Sequence, residues 1–231
     1  MTESKTVLGK FYSFDNDSSK SILRTTQDES SELLLTANED ISPTNSELGG
    51  TDSIILENSK NLINIACTNA RSLADKINSL ITLFETNSLH FTILTETWLT
   101  PKLCPPRVLS DLTTGANLSF IRRDRGSRGG GVAVCYDPTK IRLSKLTIDN
   151  DTDKEIVCAV GNCCLTKRKI VILAVYLPPS MQASQLSAAL ETVVEYINKA
   201  KTKFPDPIVF LGGDFNNKNL GAVLTLSLIH I

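Results

Sequence analysis

A chain of 231 residues, 41% hydrophobic and 21% charged, has the composition of a globular protein and enough apolar residues to bury a core. Its formal charge of −1 hides an asymmetry: residues 1–60 carry −6 and the remainder +5, so an acidic leader precedes a mildly basic body. Six cysteines without a CxxC, and only two histidines, argue against a zinc site, and no apolar run reaches the roughly 18 residues of a membrane span.

Residues 1–59 are rich in Ser, Thr, Asn, Asp and Glu, with apolar residues only in clumps such as "ELLLT" and "SIILE". Such a segment buries too little surface to offset the entropy of ordering it, so it reads as a disordered leader, with a transient helix around Leu33 to Leu35 as the one local alternative. Its first twenty residues hold no apolar core of signal-peptide length. Cys67, Cys135 and Cys158 lie in apolar surroundings and read as small hydrophobes, reduced thiols of an intracellular protein.

From residue 60 the pattern changes. "NLINIACTNA" reads as a strand. "SLADKINSLITLFETNS" reads as a helix with Leu73, Ile77, Leu80, Ile81 and Phe84 on one stripe, opened by Ser72 and Asp75 in a capping-box-like pair. "HFTILTETW" is a second strand, which completes a βαβ unit. "LCPPRVLSDLTTGA" is loop. "NLSFIRRD", "GGVAVCYD", "KIRLSKLTID", "EIVCAVGNCCL" and "KIVILAVYL" follow closely and read as a meander, at least partly antiparallel. "SQLSAALETVVEYINKAKTK" is a long helix with Leu186, Leu190, Val193, Val194 and Ile197 on one face, and "PIVFLGG" is a last buried strand. Periodicity alone gives an α/β body with a mixed sheet and helices on one face.

Several of these strands end in chemistry-bearing residues: "INIACTN" at Asn69, "FTILTE" at Glu96, "KIVILAVY" at Tyr176 and "IVFLGGD" at Asp214, with Asn216 two positions on. Ligands bind in crevices beyond strand ends. Two carboxylates, two amides and a phenol offer oxygen donors, which suit Mg²⁺ or Mn²⁺ rather than zinc, and a hard cation beside a basic rim suits phosphoester chemistry. Each residue also has a structural reading. Asn69 can start the helix, Asp214 can form a turn and Tyr176 can be a strand-end tyrosine. Glu96 is harder to explain that way, because a carboxylate inside an apolar strand is costly unless paired. The stretch "RRDRGSRGGG" places Arg122, Arg123, Arg125 and Arg128 either on a solvated hairpin or on a nucleic-acid-binding rim. His90 reads as structural.

In order, "NIACTNARSL", "ILTETWL", "RGGGVAV", "AVYLPPS" and "FLGGDFN" resemble the endonuclease/exonuclease/phosphatase superfamily. More narrowly, they resemble the apurinic/apyrimidinic-endonuclease-like domain of non-LTR retrotransposons. The resemblance covers residues 60–221 and leaves 222–231 as a tail outside it. It implies a four-layer α/β sandwich of two mixed sheets with helices outside, and metal-dependent phosphodiester cleavage. By that resemblance Glu96 binds Mg²⁺ (or Mn²⁺) and Asn69 helps hold it. Tyr176 bonds the scissile phosphate, Asp214 orients or deprotonates the attacking water, and Asn216 positions both. The implied partner is duplex DNA, nicked in the nucleus to prime a reverse transcriptase carried elsewhere on the full-length parent. The family pattern continues into a late Asp–His pair after a Ser, and His230 in "LSLIHI" has no such neighbours. The expectation is therefore a sandwich incomplete at its C-terminus, marginally stable, with activity impaired. The alternatives are a catalytically dead fragment that at most binds nucleic acid, and a phosphatase or phospholipid phosphodiesterase on the same fold.

Overall fold

The computed structural model describes residues 63–102, 109, 111, 113–126, 129–149, 154–163 and 169–216, with the backbone of three short strands in the leader. Two mixed sheets stack face to face. In the first sheet the strands are β1 (Val7–Lys10), β2 (Ile22–Thr25), β4 (Ile65–Asn69), β5 (Phe91–Thr95), β6 (Ser119–Arg123) and β7 (Val132–Tyr136), in the order β2-β1-β4-β5-β7-β6. The second holds β3 (Glu32–Leu34), β8 (Ile141–Leu146), β9 (Ile156–Cys163), β10 (Lys169–Tyr176) and β11 (Ile208–Asp214), in the order β3-β11-β10-β9-β8.

Strands β4 and β5 are parallel and joined by helix α1 (Ile77–Asn87), the expected βαβ unit. Strands β10 and β11 are also parallel, joined by helix α2 (Ala183–Lys203). The meander is real but divided. β6 and β7 form an antiparallel pair in the first sheet, and β8, β9 and β10 run antiparallel in the second. The chain changes sheet at residues 137–140, where Asp137 accepts hydrogen bonds from the Thr139 amide and hydroxyl and closes the turn. Spacing alone does not reveal such a change, because a tight turn serves a hairpin and a corner equally.

Side-chain alternation builds three apolar layers from these strands. Between the sheets lie Ile65, Phe91, Ile93, Val132, Val134, Val157, Ile170, Ile172 and Phe210. Phe91 and Phe210 meet edge to face across this gap, ring centroids 5.7 Å apart. The outer face of the first sheet packs Ala66, Leu94 and Ala133 under Ile77, Leu80 and Phe84 of α1. The outer face of the second packs Cys158, Val171, Leu173 and Val175 under Leu190, Val193, Tyr196 and Ile197 of α2. The helices therefore cover opposite outer faces, which corrects the one-face reading and gives the four-layer α/β sandwich. "IVILAV" is apolar at every position because both of its faces are covered.

Three expectations need adjustment. The leader contributes β1 and β2 to one sheet and β3 to the other, and the backbone at Glu32–Leu34 is a strand parallel to β11 rather than a helix, completing ladder bonds that β11 would otherwise leave open. The rest of residues 1–62, like the tail 217–231, lies outside the described residues. Ser72 does not cap a helix: it has φ +77°, its N–H bonds the Glu96 carbonyl, and its hydroxyl donates to Asp75 at 3.0 Å. The helical stripe holds, with Leu73, Ile77, Leu80 and Phe84 buried, but on α2 the fully buried Tyr196 was not foreseen. Among the described residues no helix is long and apolar enough to cross a membrane.

Candidate active site

Both parallel strand pairs deliver their C-terminal ends to one rim of the sandwich. Asn69 and Thr95 are register partners in one sheet, and Tyr176 and Asp214 are register partners in the other. Side chains then bridge the sheets. The Asn69 amide donates to Asp214 Oδ2 at 3.1 Å, and the Tyr176 hydroxyl donates to Glu96 Oε1 at 3.2 Å. Asn216 completes the group: its N–H donates to Asp214 Oδ1 at 3.1 Å and its side-chain amide to the Leu177 carbonyl at 2.9 Å. Five residues spread over 148 positions of sequence thus occupy one place.

The backbone around them is bent away from ordinary strand geometry. Glu96 (φ +49°), Trp98 (+53°), Arg71 (+39°), Ser72 (+77°) and Asn216 (+46°) are all left-handed, a conformation that costs a non-glycine residue about 1–3 kcal/mol. Tertiary bonds hold segment 96–98 in this shape. Ser72 and Leu73 donate to the carbonyls of Glu96 and Thr97, while Thr97 and Trp98 donate to those of Gly131 and Gly130. Such strain concentrates where side chains must be aimed.

Electrostatics favour the neutral phenol. Partial burial, then the charge and hydrogen bond of Glu96 and the charge of Asp214, push Tyr176 up to about 12, while Arg125 opposes the shift. Tyr176 therefore remains a hydrogen-bond donor at any physiological pH. Cys67, partly buried beneath the rim, is pushed up to about 12 by desolvation and then by Asp214, which makes it inert rather than nucleophilic. Cys135 and Cys158 are buried free thiols, consistent with reduced cysteines used as hydrophobes.

The arginine stretch is not a solvated hairpin where it is described. Arg122 pairs with Asp124 at 3.3 Å, Arg123 donates to the Lys154 carbonyl at 3.1 Å, and Arg125 is ion-paired with Glu155. Arg128 lies outside the described residues. Glu155, which the sequence placed without a role at the head of the "EIVCAVGNCCL" strand, is buried and also accepts the Gly131 N–H. The guanidinium of Arg125 stands 5.7 Å from the ring centroid of Tyr176, which links this half-buried pair to the rim. Its partners lie 24 and 30 positions away, so only the folded chain reveals it.

His90 sits at the opposite end of β5, where Nδ1 accepts the Asn64 N–H at 3.0 Å. The five residues of β5 (~17 Å) separate it from the rim, in keeping with a structural role. His230 lies outside the described residues. Burial, then Lys140, lower the pKa of His90. The unfolded chain then binds the proton more readily, so stability falls as pH drops through the ordinary imidazole range near 6.5. Urea midpoints measured from pH 7.5 to 5 should show that decline, and a shallower one in His90→Gln.

Glu96 and Asp214 offer carboxylate oxygens, and Asn69, whose amide nitrogen donates to Asp214 and whose oxygen accepts the Arg71 N–H, adds an amide oxygen. Among the described residues no group of three or more His, Cys, Asp or Glu could hold a metal ion. That set fits Mg²⁺, which keeps several waters and takes one or two carboxylates, and does not fit zinc.

No protein-family model matches this chain, and no curated protein does so by sequence. Solved structures are similar. A mannosyl-6-phosphatase of Bacteroides thetaiotaomicron is 14% identical, with 72% of this chain and 70% of that one covered and a TM-score of 0.53. A functionally unknown conserved protein of Enterococcus faecalis is also 14% identical, over 70% of this chain and 71% of that one, with a TM-score of 0.52. The endonuclease domain of TRAS1, a telomere-specific non-LTR retrotransposon, is 13% identical over 72% and 69%, with a TM-score of 0.48, too low to carry weight. The chain spans from 51% to 71% of the lengths of the structures it resembles. Such likeness establishes the fold alone, a four-layer α/β sandwich of two mixed sheets.

Proposed function

We propose that this chain carries the catalytic rim of a Mg²⁺-dependent phosphodiesterase acting on duplex DNA, the nicking endonuclease of a non-LTR retroelement. The observation that carries the reading is the pair of cross-sheet hydrogen bonds, Asn69 to Asp214 and Tyr176 to Glu96. They set two carboxylates, an amide and a neutral phenol around one opening. The retroelement branch rests on the wording "NARSL", "TETWL" and "GGGVAV".

In this reading Glu96, with Asn69, holds the cation, which when bound supplies charge neutralisation on the phosphate and the leaving oxygen. Asp214, its two oxygens engaged by Asn69 and Asn216, orients the attacking water and accepts its proton. Tyr176 turns its hydroxyl from Glu96 to a phosphate oxygen, where it stays a donor because its proton is held to about 12. Asn216 fixes the distance between Asp214 and the substrate. The N-terminal leader and any reverse transcriptase of a longer parent stand outside this chemistry.

The test is a plasmid-nicking assay with the 231-residue chain in Mg²⁺ and in EDTA, beside a lipid phosphodiester and a sugar phosphomonoester. Nicking that EDTA abolishes is the expected result. Mg²⁺-dependent turnover of the lipid or the monoester with intact plasmid would move the substrate. Metal-independent binding of DNA with no cleavage of any substrate would reduce the chain to a binding fragment.

A further inference from the structure

Trp98 is the one large hydrophobic side chain exposed among the described residues, at 38%. A single exposed aromatic is ordinary; its backbone is not. A bulky residue at φ +53° is a true outlier, and here the conformation is enforced. The Trp98 N–H bonds the Gly130 carbonyl at 2.9 Å, and Leu99 beside it is buried, so the chain rises to the surface only to present this ring. The turn it leans on is itself fixed. Gly130 and Gly131 have φ +64° and +88°. A Cβ on Gly130 would overlap the Glu155 carboxylate and the Arg125 guanidinium, and one on Gly131 would overlap Thr97 Oγ1. Glu155 holds that turn through the Gly131 N–H and holds Arg125 beside Tyr176. A left-handed tryptophan two residues from Glu96 is thus braced by a half-buried ion pair that reaches the same rim.

We infer that Trp98 is a stacking platform for a nucleobase flanking the scissile phosphate, with Glu155 as the positioning residue that braces it. The inference rests on the phosphodiesterase reading of the rim and adds what the substrate carries beside its phosphate. A diester seated between Glu96 and Tyr176 must project its substituents toward the neighbouring surface. In a nucleic acid these are sugar and base, and every base has a face that stacks on an aromatic ring whatever the sequence. A lipid diester would project acyl chains, which need a broad apolar patch, and among the described residues Trp98 has no exposed apolar companion.

Trp98 is the sole tryptophan of the chain, so its emission reports this position alone. The wild-type chain is titrated in EDTA with a fluorescein-labelled duplex, with the same duplex carrying abasic residues at its centre, and with anionic phosphatidylserine vesicles. Binding is followed by the anisotropy of the label. The base-bearing duplex should quench Trp98 to saturation, and the abasic duplex should leave its emission unchanged at matched occupancy. Trp98→Ala should weaken duplex binding roughly 5- to 100-fold, the range of one lost base stack. Trp98→Phe, which keeps an aromatic face, should stay close to wild type. Glu155→Gln should keep the fold but lower the maximal quench. Equal quenching by the abasic duplex, or unchanged affinity in Trp98→Ala, overturns the platform. So does an emission blue shift on vesicles without any response to DNA. Cleavage of DNA with a silent Trp98 would sink the platform alone, and quenching by bases with no cleavage under Mg²⁺ would sink the phosphodiesterase reading alone.

Discussion

Glu96→Ala should lower Mg²⁺-dependent DNA nicking by roughly 10³-fold, the several kcal/mol that a metal-held charge contributes to such a transition state. It should do so without loss of stability. Glu96 is left-handed at φ +49° and accepts the Tyr176 hydroxyl, so its carboxylate is held in place on a strained backbone. Alanine removes the charge and leaves the Tyr176 hydroxyl to water at a partly open rim. The thermal midpoint should therefore stay close to that of the wild type, because alanine keeps the same left-handed backbone and the Tyr176 hydroxyl exchanges Glu96 for water. Glu96→Gln keeps the acceptor for Tyr176 but not the anion, and should be nearly as inactive. Nicking assays and thermal scans on the three proteins decide the matter. Undiminished nicking by Glu96→Ala would remove Glu96 from the metal site, and a large fall in midpoint would make it a structural residue instead.

The residues at this rim were readable from sequence because strand ends are readable. Apolar runs that stop at Asn69, Glu96, Tyr176 and Asp214 announce where each strand delivers a polar group, and parallel pairing within each sheet brings the ends level. What the runs do not announce is sheet membership. "VAVCY" and "IRLSKL" look like neighbours, yet the turn between them carries the chain from one sheet to the other. Glu155 was unreadable for a different reason. It heads a strand just after the polar run "DTDK", and only Arg125 and the Gly131 N–H, both far away in sequence, make its burial tolerable. The same holds for Ser72. A capping box would give the Ser72 N–H to the Asp75 side chain, and here the Glu96 carbonyl just past β5 takes it instead. The left-handed backbone of Trp98 has no local signal either, since Trp favours strands and the outlier exists only because the glycine turn enforces it.

Among the described glycines, Gly213→Ala should be the most damaging single methyl, costing about 3–5 kcal/mol. Two terms contribute. Gly213 has φ +145°, a region that is essentially glycine's own and costs an L-residue about 1–3 kcal/mol. A Cβ there would also overlap the carbonyl oxygen of Val175, its register partner on β10, and overpacking against backbone adds about 1–3 kcal/mol. Against a typical domain stability of about 5–15 kcal/mol the loss is large. If the strands separate to make room, the next register pair is Tyr176 and Asp214, so the rim opens with them. Gly212→Ala is the matched control. Its Cβ would meet only the Ile93 Cδ1 atom, 2.8 Å away at the end of a side chain that can turn. Its φ lies outside the left-handed region, so about 1 kcal/mol is expected. Urea unfolding of both variants, with the nicking rate beside it, separates the two. Gly213→Ala should lose stability and activity together, and Gly212→Ala should lose little of either. Equal midpoints for the two variants would mean that the backbone at Gly213 is free to take another conformation, and that Asp214 is not held against Tyr176 by this glycine.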